Sequence, residues 1–162
     1  KIYIVNGYPK SGKTTFGRLL GEFVKVRHIS IIDPVKEIAA QIGWTGGKTE
    51  KDRKFLSDLK DLLEEYNDFP FNMLVKNVIR FLTDDKEDVL LIDIRQPEDI
   101  KRAVAIFDAG TIYIDRENAD HINSNHADAG VRDYGYDIYI SNDKGMDDFR
   151  QAVMQFVEDQ AH

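Results

Sequence analysis

Apolar residues along the chain come in two alternating rhythms. Short runs rich in β-branched and aromatic residues, KIYIVN (1–6), RHISIID (27–33), DVLLIDI (88–94), GTIYID (110–115) and YDIYIS (136–141), read as five strands. Between them, apolar positions recur at helical spacing and predict six helices: Thr14 to about Val26, Pro34 to about Ile42, Glu50 to about Tyr66, about Phe71 to Leu82, Pro97 to Asp108, and Met146 to Glu158. Pro34 and Pro97 fall just inside proposed helix starts, where a missing N–H costs nothing. Strands alternating with helices call for a mostly parallel sheet covered on both faces. In the third helix Phe55, Leu56, Leu59, Leu62, Leu63 and Tyr66 form the apolar side, and the charges of KDRKFLSDLKDLLEEY form a solvated one. Two stretches break the alternation. One is helical, from about 49 to 83, between the second and third strands; the other is the polar run RENADHINSNHADAGVRDYG (116–135) after the fourth, which reads as a mobile functional loop.

Composition narrows the class. With 162 residues, 42% of them hydrophobic, the chain suits one domain with a full core. A formal charge of -7 argues against a polyanionic partner, because duplex binding draws on Lys and Arg displacing counterions, so no nucleic acid is expected. The absence of cysteine excludes disulfides and thiolate metal sites. No apolar run approaches the roughly 20 residues that span a bilayer. A start at Lys1 without Met reads as a trimmed or partial N-terminus, no cleavage site follows an apolar run there, and a cytoplasmic location is the expectation.

The candidate chemistry begins directly after the first strand, at GYPKSGKT (7–14). Gly, four free positions and Gly-Lys-Thr between a strand and a helix is the phosphate-loop pattern: glycines permit close approach, successive N–H groups nest around phosphate oxygens, and the helix presents its positive end. The nucleotide-binding set is accordingly Gly7, Lys10, Ser11, Gly12, Lys13, Thr14 and Thr15. Lys13 is placed to reach the β- and γ-phosphates and Thr14 to ligate Mg²⁺. Asp93, at the end of the buried run VLLID, either holds Mg²⁺ through water or caps the strand end. Asp33 also falls at the carboxyl end of a strand, where open parallel sheets bind ligands.

No Gly lies three positions after Asp93 and no Asn-Lys-x-Asp motif is present, which disfavours a signalling GTPase, and the chain is short for a motor or helicase. A small-molecule kinase fits best. An anionic acceptor needs cations, and arginine is the better phosphate clamp. Arg95 lies two residues beyond Asp93, on its face if the strand continues. Arg53 opens the inserted helical region, Lys36 lies one turn after Asp33, and Arg116 and Arg132 border the polar loop, where a closing lid would use them. Each is otherwise a solvated charge. His121 and His126, five apart in that loop, have poor geometry for a metal pair, and Trp44 reads as a packing residue or a base-stacking one.

GYPKSGKTTF, DPVKEIA, IDIRQPEDIKRA, IYIDR and SNHADAGVRDYGYDIYISNDKGMDDF together resemble the deoxynucleoside monophosphate kinases of tailed phages and their bacterial relatives. The Asp-x-Arg-x-x-Glu spacing of Asp93, Arg95 and Glu98 belongs to that branch. The resemblance implies a P-loop three-layer α/β/α fold with a five-stranded parallel sheet in the order 2-3-1-4-5. It also implies a helical acceptor-binding insertion at about 34–83 and a lid at about 116–135. It implies that Asp33, Lys36 and Arg95 face the acceptor, that Arg116 serves the lid and that Asn142 lies near the donor base. The resulting expectation is a kinase using ATP and Mg²⁺ to phosphorylate a nucleoside monophosphate, with small-molecule nucleotides as its partners. A hydroxyl-acceptor enzyme resembling dephospho-coenzyme A kinase, with Asp33 as base, and a nucleotide-binding module without transfer are the alternatives.

Overall fold

The computed structural model describes residues 1–117 and 130–160. Five strands, β1 (Ile2–Asn6), β2 (Val26–Ser30), β3 (Val89–Asp93), β4 (Gly110–Asp115) and β5 (Ile138–Ser141), form one sheet in the order β2-β3-β1-β4-β5, and every neighbouring pair is parallel. Six helices complete the three layers: α1 (Lys13–Leu20), α2 (Asp33–Gln41), α3 (Glu50–Asn67), α4 (Phe69–Asp84), α5 (Pro97–Phe107) and α6 (Met146–Gln160). Most of the expected lid loop, with His121 and His126, lies outside the described residues.

Both sheet faces are covered, so the central strands read as continuous apolar runs. Ile4, Leu90 and Ile92 pack under Phe71, Leu74 and Val78 of α4 and Ile100 and Ala103 of α5. Val5, Leu91 and Ile112 face the other way, under Phe16, Leu19 and Leu20 of α1 and Phe149, Val153 and Phe156 of α6. The parallel crossovers leave β1 and β3 side by side, with Val5 opposite Asp93, and this brings the two candidate motifs to the carboxyl end of the central strands.

Three local expectations change. Helix α1 stops at Leu20, about six residues early, because Gly21 caps it by donating to the Gly17 carbonyl and the chain then turns through Glu22 and Phe23 into β2. Glycine is a poor interior helix residue, costing about 1 kcal/mol against alanine. Strand β2 ends at Ser30, because the Asp33 carboxylate takes the Ser30 N–H at 2.8 Å and the chain turns into α2. In α3, Leu62 and Tyr66 are 63% and 83% exposed, whereas Ser57 and Lys60 are buried. The buried line of this helix meets the polar start of α5: Lys60 Nζ donates to Gln96 Oε1 and Asp99 Oδ2, each at 3.0 Å, and also pairs with Glu64. A buried ammonium with three acceptors is tolerated where an unpaired one is not. These pairs hold the Lys60 ammonium above its usual range against the opposing effect of burial, which is the largest single influence on it.

Candidate active site

The loop between β1 and α1 is shaped by positions that side chains would obstruct. Gly7 has φ +153°, and a Cβ there would sit 2.6 Å from the Ile114 carbonyl oxygen. Gly12, at φ +110°, precedes α1 as a cap without a side-chain bond, and a Cβ there would meet Asn142 Nδ2 at 2.5 Å. The left-handed backbone at both glycines suits residues without a Cβ. Lys10, between them, is also left-handed, with φ 64°. Ser11 is buried, its N–H donating to Tyr8 O at 3.0 Å.

The loop is pinned from both sides. Asn6, wholly buried at the end of β1, accepts the Gly7 N–H on Oδ1 at 2.9 Å and reaches with Nδ2 toward the Arg95 carbonyl at 3.3 Å. It thereby joins the loop to the segment after β3. Asn142, just past β5, donates from Nδ2 to Ser11 O at 2.8 Å. Its own N–H donates to Asp115 O, also at 2.8 Å. Arg116 reaches the Lys10 carbonyl with Nη1 at 3.3 Å. Lys13 Nζ donates to the carbonyls of Gly7 and Tyr8 at 2.8 and 3.1 Å, which keeps the ammonium at the loop's mouth.

A cavity of about 390 Å³ opens over the loop and the first turn of α1. Lys10, Gly12, Lys13, Thr14 and Thr15 form its floor; Arg116, Asn142, Asp143, Gly145 and Met146 form its wall. Six of the seven phosphate-loop candidates are thus accounted for there or in its support, with Gly7 shaping the turn behind. Asp143 accepts from Ser141 Oγ at 3.0 Å and from the Glu117 N–H, and these two donors lower its carboxyl below the usual range, the Glu117 bond first.

Asp93 ends β3 half-buried, and His28 Nε2 lies 3.0 Å from its Oδ1. That hydrogen bond raises the His28 imidazole above its ordinary value, burial opposes it, and the charges of Asp33 and Lys13 also reach the ring. Thr14 and Asp93 supply only oxygen donors. Among the described residues no group of three or more His, Cys, Asp or Glu side chains could cage a metal. Thr14 lines the cavity, whereas Asp93 ends β3 outside its lining; a hydroxyl and a carboxylate are the kind of oxygen donors that suit Mg²⁺ when phosphate and water complete the shell.

The strand does not continue to Arg95: β3 ends at Asp93, Ile94 enters the core, and half-buried Arg95 stands in the link to α5. Lys36 is exposed one turn into α2, and Arg53 is half-buried in the first turn of α3. Arg132 is exposed, yet its charge reaches the Tyr113 hydroxyl. Burial first, then Asp115 and Tyr8, push that phenol up to about 12 against the pull of Arg132. Sequence reasoning missed Asn6 and His28. Asn6 directly precedes the glycine loop, and His28 alternates with Val26 and Ser30, but neither partner is visible without the strand pairing.

No family model matches the chain, and no curated protein aligns with it significantly. Solved structures do share its fold. Shikimate kinase from Aquifex aeolicus superposes with a TM-score of 0.55 at 13% identity, covering 99% of this chain and 98% of that one. Dephospho-CoA kinase from Campylobacter jejuni does so with a TM-score of 0.53 at 17% identity, covering 98% and 96%. The chain therefore has the three-layer α/β/α fold of P-loop kinases, with the sheet order 2-3-1-4-5. No helix among the described residues is long and apolar enough to cross a membrane.

Proposed function

We propose that this protein is a P-loop kinase that transfers the γ-phosphoryl group of ATP to a nucleoside or deoxynucleoside monophosphate. The observation that carries the reading is the double anchorage of the glycine loop: Asn142 holds Ser11 on the cavity side, and Asn6 ties Gly7 to the backbone of Arg95 on the other. The loop thus stands between a donor cavity and an arginine-bearing link beside Asp93.

In this reading the loop N–H groups and Lys13 receive the β- and γ-phosphates, with Lys13 exchanging the Gly7 and Tyr8 carbonyls for phosphate oxygens. Thr14 and Asp93 would hold Mg²⁺, which supplies charge neutralisation at the transferring group. Arg95, with Lys36 and Arg53 from the helical insertion 34–83, holds the acceptor phosphate. Arg116 and Arg132, bordering the lid region, neutralise charge as transfer proceeds. An acceptor phosphate oxygen forms the new O–P bond while the bond from the γ-phosphorus to the β–γ bridging oxygen breaks, leaving ADP. This reading calls for small nucleotides as partners.

Asp33 accepts the Ser30 N–H on Oδ2, a contact compatible with either acceptor class; an anionic acceptor needs no base, whereas an alcohol would need one from this residue. The test is coupled ADP release with Mg²⁺·ATP and a panel of monophosphates, shikimate and dephospho-coenzyme A. At least one monophosphate stimulates release and the two alcohols do not. Release stimulated only by an alcohol would contradict the reading.

A further inference from the structure

His28 has no place in the phosphate-loop pattern, yet it occupies a built position. It stands opposite Leu91 in the β2–β3 pairing, on the sheet face that α1 covers. Its Nε2 lies 3.0 Å from Asp93 Oδ1, and its Nδ1 lies where a Cβ on Gly17 would approach to 2.6 Å. The ring is therefore wedged between the helix that follows the phosphate loop and the carboxylate at the end of β3. Gly17 is one helical turn beyond Lys13, so the side chain that is absent there is what admits the ring.

We propose that His28 is a positioning residue for the nucleotide-bound divalent cation: it fixes Asp93 so that the carboxylate's other oxygen meets the metal's water shell. This rests on the kinase reading above. An ionised carboxylate can only accept, so in a neutral ring Nε2 carries the proton and donates it to Oδ1. The terminal torsion of an aspartate is broad, so a carboxylate without a fixed partner can rotate away from the metal's shell. A fixed hydrogen-bond donor removes that freedom before metal arrives; because Asp93 meets the metal through water, losing its partner is felt as about one hydrogen bond, roughly a two- to tenfold change. Glutamine places an amide N–H near the position of imidazole Nε2 and so preserves the donor; leucine preserves bulk without it.

The experiment is calorimetric titration of the full chain with ATP, in EDTA and again in Mg²⁺, for wild type, His28→Leu, His28→Gln and Gly17→Ala. The gain in ATP affinity caused by Mg²⁺ falls about two- to tenfold in His28→Leu and in Gly17→Ala, whose Cβ crowds the ring while leaving both His28 and Asp93 in the sequence. Metal-free ATP binding stays at the wild-type value, which shows that α1 and Lys13 keep their place, and His28→Gln keeps the Mg²⁺ gain. Alanine is also the better helix former, so weakness in Gly17→Ala cannot come from a frayed helix. An unchanged Mg²⁺ gain in folded His28→Leu, or an equal loss with and without metal, overturns the inference while leaving the kinase reading standing. Wild-type protein that binds no ATP in either condition overturns both.

Discussion

Asn142 Nδ2 donates to the Ser11 carbonyl at 2.8 Å and occupies the space that a Cβ on Gly12 would need. One amide thus joins the loop after β5 to the loop after β1 and forbids a side chain at the second. Asn142→Ala removes the bond but not the backbone route. A neutral hydrogen bond contributes about 0.5–1.5 kcal/mol net, so ATP affinity falls roughly two- to tenfold while the acceptor KM stays nearly constant. Titrations with ATP and with acceptor check this, and a change confined to the acceptor would assign Asn142 elsewhere.

The charge cluster at Lys60 makes a prediction about stability. Lys60 is 6% exposed, between Glu64, Gln96 and Asp99, and it clamps α3 to the start of α5. Removing one partner of a buried pair costs about 3–5 kcal/mol, and the partial exposure of Glu64 and Asp99 reduces that to about 2 kcal/mol for Lys60→Met. Adding Glu64→Gln and Asp99→Asn to the same chain restores much of the loss. Urea unfolding measures both, and an unaffected midpoint in Lys60→Met would show that the clamp contributes little.

Lys60 also marks the limit of what the sequence carries. Helical spacing locates α3 along the chain but assigns its solvated side by residue type, which puts Lys60 outward and Tyr66 inward. The burial of Lys60 depends on Gln96 and Asp99, which are 36 and 39 positions later and reach it only through the tertiary packing. The glycine loop and the five strands were readable because their signals are local: left-handed glycines, a lysine and threonine at fixed spacing, and β-branched runs. The sheet order followed from resemblance to known kinases and agrees with the structure. His28 and Asn6 stayed hidden because a hydrogen bond across neighbouring strands leaves no spacing in the chain.

Arg95 and Asp33 separate the two acceptor classes. If the acceptor is a monophosphate, Arg95→Met lowers kcat/KM for it by roughly ten- to a thousandfold, since charge-assisted contacts contribute about 1.5–3 kcal/mol each and more when desolvated. Its ATP affinity changes little. Asp33→Asn, which keeps an acceptor for the Ser30 N–H, slows transfer only moderately. An alcohol acceptor would reverse the ranking, with Asp33→Asn costing on the order of 10²–10⁴ in kcat through loss of the base. Steady-state kinetics of both variants against both substrates decide between them.

Phosphorus NMR of the products formed by the wild-type protein from ATP, Mg²⁺ and a single non-adenine monophosphate tests the central claim most directly. The β-phosphate resonance of a new nucleoside diphosphate grows in step with that of ADP for at least one acceptor. ADP accumulating with inorganic phosphate alone, for every monophosphate offered, would contradict phosphoryl transfer and leave a nucleotide hydrolase in its place.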